Sequence, residues 1–308
     1  MIVGIDIGGT KCAVITGNKA GKILDKTVFQ TTKFQETYQK LFAIIEKLPP
    51  FDAIGISCGG PLDEEQGLIL SPPNLSDWKN VSIVRDFSSK FSVPCKLRND
   101  ANACALAEYK FGAGVGYKNI VFLTFGTGLG AGLILDGRLY SGTNGNAGEI
   151  GHMRLTKNGP IGFHKQGSFE GYCSGQGIKQ LGELYLKKAR LKGIFPLYAQ
   201  KKDFSAKDIA DAARAGDVTA RKIFNKCGEM LGKGLSVLVD VLNPERIIIG
   251  SIYTRCTDLL EKAMRKTLTK ESLSVSLRCC EVVPAKLNEN IGDMAALAVA
   301  AEAAEHAL

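Results

Sequence analysis

The first part of the chain alternates apolar runs with glycine turns in a way that predicts β-strands. Residues 2–6 form an apolar run, a glycine turn covers residues 8–11, and a second apolar run covers residues 12–15. A third strand is predicted over residues 23–31. Residues 36–47 carry apolar side chains at helical spacing. The chain therefore opens with a β-hairpin, a further strand and a helix.

A second unit of the same kind begins in the middle of the chain. Residues 120–125 are apolar, residues 126–130 form a turn of glycine, threonine and leucine, and residues 131–135 are apolar again. This order repeats that of the first hairpin, so we interpret it as a weak internal repeat. Two copies of one unit predict two related domains with a cleft between them.

The remaining pattern is largely helical. Helices are predicted over residues 101–111, 176–189 and 217–240, and residues 246–249 read as a buried strand. The chain after Asp293 is rich in alanine, which favours a helix. Strands that alternate with helices indicate the α/β class.

Composition narrows the protein class. The 308 residues are 45% apolar and 23% charged, which excludes a disordered chain. No apolar run reaches the roughly 18 residues that span a membrane, and the N-terminus lacks the pattern of a signal peptide. The net charge of +8 is scattered and predicts no nucleic-acid partner. We expect a cytoplasmic protein with no membrane association and with free thiols.

The nine cysteines are candidate metal ligands. None of them shows the Cys-x2-Cys or Cys-x4-Cys spacing of a zinc site. We therefore interpret most of them as small buried apolar residues.

The two glycine turns are candidate phosphate sites. At residues 8–11, glycines let backbone N–H groups face an anion, and Asp6 just before them is suited to hold a hydrated Mg²⁺. An ordinary hairpin with a stray aspartate explains the same residues. Residues 126–131 match the dinucleotide pattern G-x-G-x-x-G/A, but that fingerprint opens a helix and here a strand follows. A phosphate-binding hairpin is favoured over a dinucleotide site.

Two further polar pairs have both a structural and a functional interpretation. Asn99 and Asp100 stand just before a predicted helix, where such residues commonly cap the helix. The alternative is a general base at a domain junction. Glu149 and His152 lie next to glycines and are suited to bind vicinal sugar hydroxyls, although a surface turn explains them too. Glu170 carries no signal of its own.

Taken together, these segments resemble the ROK family of sugar kinases and related repressors, within the actin-like ATPase superfamily. The resemblance implies a two-domain α/β fold of the ribonuclease H-like type with a cleft between the domains. It is carried by DIGGTK at 6–11, GGPLDEEQG at 59–67, PPNLSDW at 72–78, NDANACALAE at 99–108, GTGLGAGLILDG at 126–137, GNAGEIGH at 145–152 and NPERIIIG at 243–250.

The resemblance also implies a role for each matching residue. Asp100 matches the catalytic base, and Asp6 would handle Mg²⁺ through water. The sugar-binding residues implied are Gly60, Asn74, Asn99, Asp100, Glu149, His152 and Glu170. The ATP-binding residues implied are Asp6, Gly8, Gly9, Thr10, Lys11, Gly126, Thr127, Gly128, Gly250 and Ser251, with Thr127 near the γ-phosphate. The family often has a second glycine where this chain has Ser251.

One departure from the family concerns zinc. Many members follow Glu-x-Gly-His with three cysteines that bind zinc together with that histidine. Here the three positions hold Ile161, Phe163 and Ser168, so we expect no zinc site. The loop over residues 155–173 would then be held by packing of Ile161 and Phe163.

We therefore expect an ATP- and Mg²⁺-dependent hexose kinase that acts at the 6-hydroxyl, with Asp100 as the base and a homodimer as the assembly. We expect a small domain from residues 1–112 and 290–308 and a large domain from residues 113–289. Three alternatives stay open: an N-acetylhexosamine kinase, a sugar-sensing regulator of the same family, and a dinucleotide oxidoreductase. The regulator is disfavoured because the first strand starts at Ile2, which leaves no room for a winged helix.

Overall fold

The computed structural model of the chain describes residues 1–305, and these divide into two compact units. Unit 1 comprises Met1–Lys118, Gly132–Ala147 and the chain from Lys286 onward, and unit 2 comprises Asn119–Ala131 and Gly148–Ala285. The domain boundaries expected from the sequence stay a prediction, and residues 306–308 of the expected small domain lie outside the described residues. Among the described helices, none has the length and apolar character needed to cross a membrane.

The strands and helices follow one another along the whole described chain. The strands are β1 (Ile2–Ile7), β2 (Lys11–Gly17), β3 (Ile23–Gln30), β4 (Ile54–Cys58), β5 (Leu62–Asp63), β6 (Leu68–Ile69), β7 (Cys95–Asn99), β8 (Ile120–Phe125), β9 (Leu129–Leu135), β10 (Arg138–Leu139), β11 (Ile161–Gly162), β12 (Lys165–Gln166), β13 (Arg246–Ile249) and β14 (Glu281–Pro284). The helices are α1 (Phe34–Ile45), α2 (Ile83–Phe91), α3 (Asp100–Phe111), α4 (Phe169–Tyr172), α5 (Gly175–Arg190), α6 (Ala206–Arg214), α7 (Val218–Leu242), α8 (Ile252–Glu271), α9 (Ser274–Leu277) and α10 (Ile291–Glu305).

The two large sheets share one strand order, which confirms the internal repeat. The first sheet runs β3-β2-β1-β4-β7, and the second runs β10-β9-β8-β13-β14. In the first sheet β3 lies at one edge and β1 pairs in parallel with β4. In the second sheet β10 lies at one edge and β8 pairs in parallel with β13. The mixed α/β class predicted from the sequence is confirmed.

The helix α10 covers the first sheet through small side chains. Its residues Ala296, Leu297 and Ala300 form a buried cluster with Ile2 and Ile15 of the sheet. The approach is close because β4 carries Gly55, where an added Cβ would stand 2.0 Å from the backbone nitrogen of Ala300. Alanine and glycine thus let helix and sheet pack in van der Waals contact.

Local signals set the ends of the predicted helices. The long helix α7 starts where the Asp217 side chain accepts hydrogen bonds from the N–H groups of Thr219 and Ala220. It ends at Asn243, which adopts a left-handed conformation just before a proline. Expected and observed bounds of this helix differ by only one or two residues.

Candidate active site

The turn between β1 and β2 carries the first group of predicted ligand-binding residues. It is closed by the N–H of Gly8, which donates to the Lys11 carbonyl (3.1 Å), while the Thr31 hydroxyl donates to the Gly8 carbonyl (2.6 Å). Gly9, Thr10 and Lys11 are exposed to solvent. An exposed turn of glycines with a lysine at its end is suited to bind an anion.

Two of the predicted sugar-binding residues lie in loops of the same unit. Asn74 packs against the turn, since a Cβ added to Gly9 would lie 2.5 Å from the Cβ of Asn74. Gly60 is exposed, just before β5, and forms a cis peptide bond with Pro61. The structure therefore brings Asn74 to the glycine turn, whereas Gly60 stands in a neighbouring loop.

Asn99 and Asp100 stand at the junction of β7 and α3. Asn99 does cap the helix, since its Oδ1 accepts from the N–H of Asn102 (2.7 Å). Its side-chain nitrogen Nδ2, unlike its backbone N–H, makes no hydrogen bond to any residue of the described chain, which leaves that donor available to a ligand. Asp100 accepts at Oδ1 from the N–H of Ala101 (2.8 Å). The structural and functional interpretations of Asn99 are therefore compatible.

Burial and two nearby carboxylates of unit 1 shift the pKa of Asp6. The pKa of Asp6 is raised to about 6, first by burial and then by the negative charges of Asp293 and Asp100. The pKa of Asp100 is also raised, because protein atoms closely surround its carboxylate and desolvate it. The residue as a whole is nevertheless exposed to solvent. Asp293 in turn accepts from Lys26 Nζ (2.6 Å). Sequence reasoning missed Asp293, whose sole signal is its place in the first turn of α10.

This arrangement fits a hydrated magnesium ion better than a fully enclosed metal. Within residues 1–305, no group of three or more histidine, cysteine, aspartate or glutamate side chains is arranged to hold a metal ion. Mg²⁺ keeps several of its waters and binds through one or two carboxylates together with substrate phosphates. Asp6, beside an exposed glycine turn, supplies such a carboxylate, and the repulsion that raises its pKa is what a cation would relieve.

Replacing Asp6 with asparagine is expected to stabilise the ligand-free protein at alkaline pH. The ionised carboxylate is penalised once the pH exceeds the unfolded value of 3.8, and the penalty is complete above about pH 6. A shift of this size corresponds to about 2–3 kcal/mol. Chemical denaturation at pH 8 should show that gain, and the gain should vanish near pH 4. Asp25→Asn, an exposed aspartate on β3, serves as the control and should change little.

The turn between β8 and β9 carries the second predicted phosphate motif. It leads into strand β9 and not into a helix, so its G-x-G-x-x-G/A match is not a dinucleotide fingerprint. Thr127 is exposed, and the Gly126 carbonyl accepts from the N–H of Gly175 (2.8 Å). Gly128 lies against the Glu170 carboxylate, since an added Cβ would stand 2.7 Å from its Oε2.

Glu170 and the Glu149–His152 turn lie together in unit 2. Glu170 Oε2 accepts from the N–H of Leu129 (3.0 Å), which ties this predicted sugar ligand to the phosphate turn. Glu149 is exposed and directly precedes a 3₁₀ turn, Ile150–His152. The imidazole of His152 lies edge-on to the ring of Phe163, with centroids 5.0 Å apart. His152 thus gains an orienting contact from one of the residues that replace the zinc ligands.

The 155–173 loop is packed, as expected, but through other residues than the two expected ones: Leu155, Phe169, Tyr172 and Cys173 are buried. Ile161 and Phe163 are 52% and 70% exposed, so neither is a buried anchor. Hydrogen bonds also hold the loop: Gln180 both accepts from the N–H of Ile161 and donates to its carbonyl, at 2.8 Å each. The Ser168 hydroxyl donates to the Gly162 carbonyl (3.3 Å) and accepts from the N–H of Gly171 (3.1 Å). The absence of zinc stays a prediction, which elemental analysis would test.

A cavity of about 630 Å³ opens beside the second turn, within unit 2. Its walls include the predicted residues Gly126, Thr127 and Ser251, whereas Gly250 is buried next to it. The volume falls in the range of small-molecule sites. Sequence reasoning missed the rest of the lining, which comes from α5, α6 and α8 and the loop before α6: Gly175, Gln176, Lys179, Asp203, Phe204, Ser205, Ala206, Lys207, Ala210, Asp211, Arg214, Ile252, Arg255 and Cys256.

Ser251 adopts a backbone conformation that disfavours its side chain. It caps α8 with a φ of 58° and makes no side-chain hydrogen bond to that helix. Replacing it with glycine should raise the free energy of unfolding by about 1 kcal/mol, because released strain outweighs the added chain entropy. Ser82→Gly is the matched control: Ser82 also caps a helix without a side-chain bond, but its φ is −77°. Chemical denaturation should show that Ser82→Gly lowers the free energy of unfolding. An equal decrease in Ser251→Gly and Ser82→Gly would contradict the strain argument.

Comparison with known proteins agrees with the motifs and the fold. The family model described as "ROK family" matches residues 2–303. The chain is 31% identical to the glucokinase of Thermotoga maritima, over 98% of this chain and 97% of that one. It is 29% identical to the xylose repressor of Caldicellulosiruptor bescii, over 94% of this chain and 75% of the repressor.

A solved structure shows the same architecture. The ROK family glucokinase from Streptomyces griseus, in complex with glucose and AMPPNP, superimposes with a TM-score of 0.76 at 28% identity. The match covers 98% of this chain and 99% of the glucokinase. The expected actin-like ATPase fold is thereby confirmed. With a family model spanning almost its whole length and motifs in the family's order, this chain belongs to the ROK family.

Proposed function

We propose that this protein is an ATP-dependent hexose kinase that phosphorylates the 6-hydroxyl of its sugar, with Asp100 as the general base. The observation that carries the proposal is the pair of exposed glycine turns, one beside Asp6 and one opening into the large cavity of unit 2. The broader class, an ATP-dependent sugar kinase, agrees with the glucokinase relatives and with the family glucokinase solved with glucose and AMPPNP. The Rossmann-type oxidoreductase is disfavoured because no helix follows the second turn.

The proposed reaction is an in-line transfer of one phosphoryl group. Ionised Asp100 accepts the proton of the sugar hydroxyl while its oxygen forms a bond to the γ-phosphorus. The bond from that phosphorus to the bridging oxygen breaks, and ADP leaves with the electron pair. Lys11 and the turn amides counter the phosphate charge, and Mg²⁺ held through water by Asp6 would neutralise it further. Since burial raises the pKa of Asp100, activity should fall as acid protonates it.

We assign the sugar hydroxyls to Glu149, His152, Asn99 and Glu170, and the loop contacts to Gly60 and Asn74. Two observations support this assignment: the side-chain nitrogen Nδ2 of Asn99 is an unused donor, and Glu149 is exposed with no side-chain partner among the described residues. The nucleotide is assigned to the cavity beside Thr127 and Ser251. The homodimer and the cytoplasmic location stay predictions.

An ADP-release assay against a panel of sugars tests the proposal. The panel holds glucose, mannose, fructose, allose, N-acetylglucosamine and N-acetylmannosamine, each with MgATP. One hexose should support turnover, and its 6-deoxy analogue should compete for binding without being phosphorylated. Turnover of the 6-deoxy analogue would contradict the 6-hydroxyl, and turnover of an N-acetylated sugar alone would favour the N-acetylhexosamine kinase. Binding of NAD⁺ in place of ATP would contradict the nucleotide assignment.

A sugar-sensing regulator is the second candidate, favoured by the identity to the xylose repressor. The same assay separates the two functions. A protein that binds a sugar, shown by calorimetry, but releases no ADP with any member of the panel would be a sensor. DNA retention at moderate salt would add support for that function.

A further inference from the structure

We propose that Glu64 is a positioning residue that fixes the backbone from which Asp100 projects. This inference rests on the proposed function, in which Asp100 is the base. Glu64 lies in the turn between the short strands β5 and β6, remote in sequence from the junction of β7 and α3. No role for Glu64 follows from the family resemblance, which points to Gly60 in that segment.

One carboxylate oxygen of Glu64 accepts hydrogen bonds from residues on both sides of Asp100. Its Oε1 accepts from the backbone N–H of Asn99 (2.8 Å) and from Nδ2 of Asn102 (3.0 Å). Asn102 is fully buried, and the Glu64 side chain is only 6% exposed. Buried hydrogen bonds to a charged acceptor are short and strong. The first turn of α3 is therefore held at two points by one side chain.

The other oxygen keeps Glu64 itself in place. Its Oε2 accepts from Nη1 of Arg98 (3.0 Å) and, at 3.5 Å, from the Ser141 hydroxyl. Arg98 in turn donates from Nε and Nη2 to the two carboxylate oxygens of Glu302 on α10, at 3.0 and 2.7 Å. The Arg98 guanidinium, itself fixed by Glu302, therefore holds the Glu64 carboxylate in the orientation in which it accepts from Asn99 and Asn102.

The position of Asp100 depends on this grip because its own carboxylate is anchored only locally. That carboxylate accepts from the adjacent N–H of Ala101 and from the backbone of Asp100 itself. A shift of the 99–102 backbone would therefore move the base as a whole. Misplacement of a catalytic group by about 1 Å can cost on the order of 10²-fold in rate. Glu64 would act on turnover without touching the sugar.

Three variants separate positioning from general stabilisation. Glu64→Ala removes the hydrogen bonds to Asn99 and Asn102, whereas Glu64→Gln keeps an amide oxygen that can accept from Asn99. Glu108→Gln is the matched control, because Glu108 is also a buried carboxylate of unit 1 that accepts from two backbone N–H groups, those of Ala113 (2.6 Å) and Leu287 (2.9 Å), away from the 99–102 backbone. The readouts are kcat, the KM for ATP, the melting temperature, and amide hydrogen exchange at residues 99–103.

We expect kcat to fall on the order of 10²-fold in Glu64→Ala, with the KM for ATP unchanged. Glu64→Gln should recover most of that loss, and Glu108→Gln should keep the kcat of the natural protein. Exchange at residues 99–103 should speed up in Glu64→Ala alone. A kcat within twofold of the natural protein in Glu64→Ala, or losses that track the melting temperature equally in all three variants, would overturn the proposal.

The exchange measurement also separates this proposal from the proposed function. If the natural protein phosphorylates no sugar, the kinase assignment fails, but exchange still reports whether Glu64 holds the junction. Unchanged exchange in Glu64→Ala would then overturn the anchoring as well. Faster exchange together with normal turnover would show that the anchor exists and has no effect on the base, which also overturns the positioning role.

Discussion

Asp100→Asn is expected to lower kcat for sugar phosphorylation by about 10²- to 10⁴-fold, the usual contribution of a general base. The amide cannot accept the proton of the attacking hydroxyl. Asparagine keeps the oxygen that accepts from the Ala101 N–H, so the start of α3 should stay folded. Calorimetry should therefore show sugar affinity within a few-fold of the natural protein, while ADP release almost stops.

Asp240→Asn is a suitable control for that variant. Asp240 is exposed in unit 2, and it also accepts a backbone hydrogen bond, from the Leu273 N–H at 2.9 Å. Its replacement should leave both turnover and sugar binding unchanged. Full activity in Asp100→Asn would show that Asp100 is not the general base. Loss of sugar binding in Asp100→Asn would show that the substitution disturbs the site more widely.

Arg98→Met is expected to lower the free energy of unfolding by about 3–5 kcal/mol. Arg98 lies between the buried carboxylates of Glu64 and Glu302, and its own side chain is 17% exposed. Removal of one partner from a buried ion pair leaves uncompensated charge, which is far costlier than loss of a surface pair. Lys96 remains near Glu302 at 3.3 Å, so the larger part of the cost falls on Glu64.

The pH dependence gives that prediction a second test. Burial pushes the pKa of Glu302 up, but the hydrogen bonds and charges of Arg98 and Lys96 outweigh it and hold the pKa below its usual 4.5. The stabilisation from a lowered carboxyl pKa is present above pH 4.5 and is lost as the pH falls. The difference between Arg98→Met and the natural protein, measured by chemical denaturation, should therefore shrink in acid.

Arg85→Met provides the matched control for the arginine. Arg85 pairs with Asp86 at 3.3 Å, but its side chain is 74% exposed. Such surface pairs contribute about 0–1 kcal/mol. A loss in Arg98→Met no larger than in this control would contradict the view that unit 1 depends on a buried ion network.

Local features of the site could be predicted from the sequence because they are encoded by neighbouring residues. The two glycine turns follow from apolar runs that end in glycine, and Asn99 is recognisable as a helix cap from its place before α3. The shared strand order of the two sheets was visible as a weak repeat of strand, turn and strand. Each of these signals lies within a short stretch of chain.

The missed residues reach the site from far along the chain. Asp293 meets Lys26 across 267 positions, and Glu64 meets the Asn99 backbone across 35. The cavity of unit 2 is lined by separate helices that no local motif links. Packing of the 155–173 loop was misjudged for the same reason, since its partner Gln180 lies on the following helix. Contacts made by tertiary folding leave no periodic trace in the sequence.

The cover that α10 gives to the first sheet has a consequence for synthesis on the ribosome. β1, β2, β4 and β7 are all made before residue 100, whereas the helix that buries Ile2 and Ile15 begins at Ile291. At about 5–20 residues per second, the sheet waits on the order of 10–40 s for its cover. During that time an apolar sheet face is exposed on the nascent chain. Unit 1 can therefore finish folding only after the chain of unit 2 has been translated.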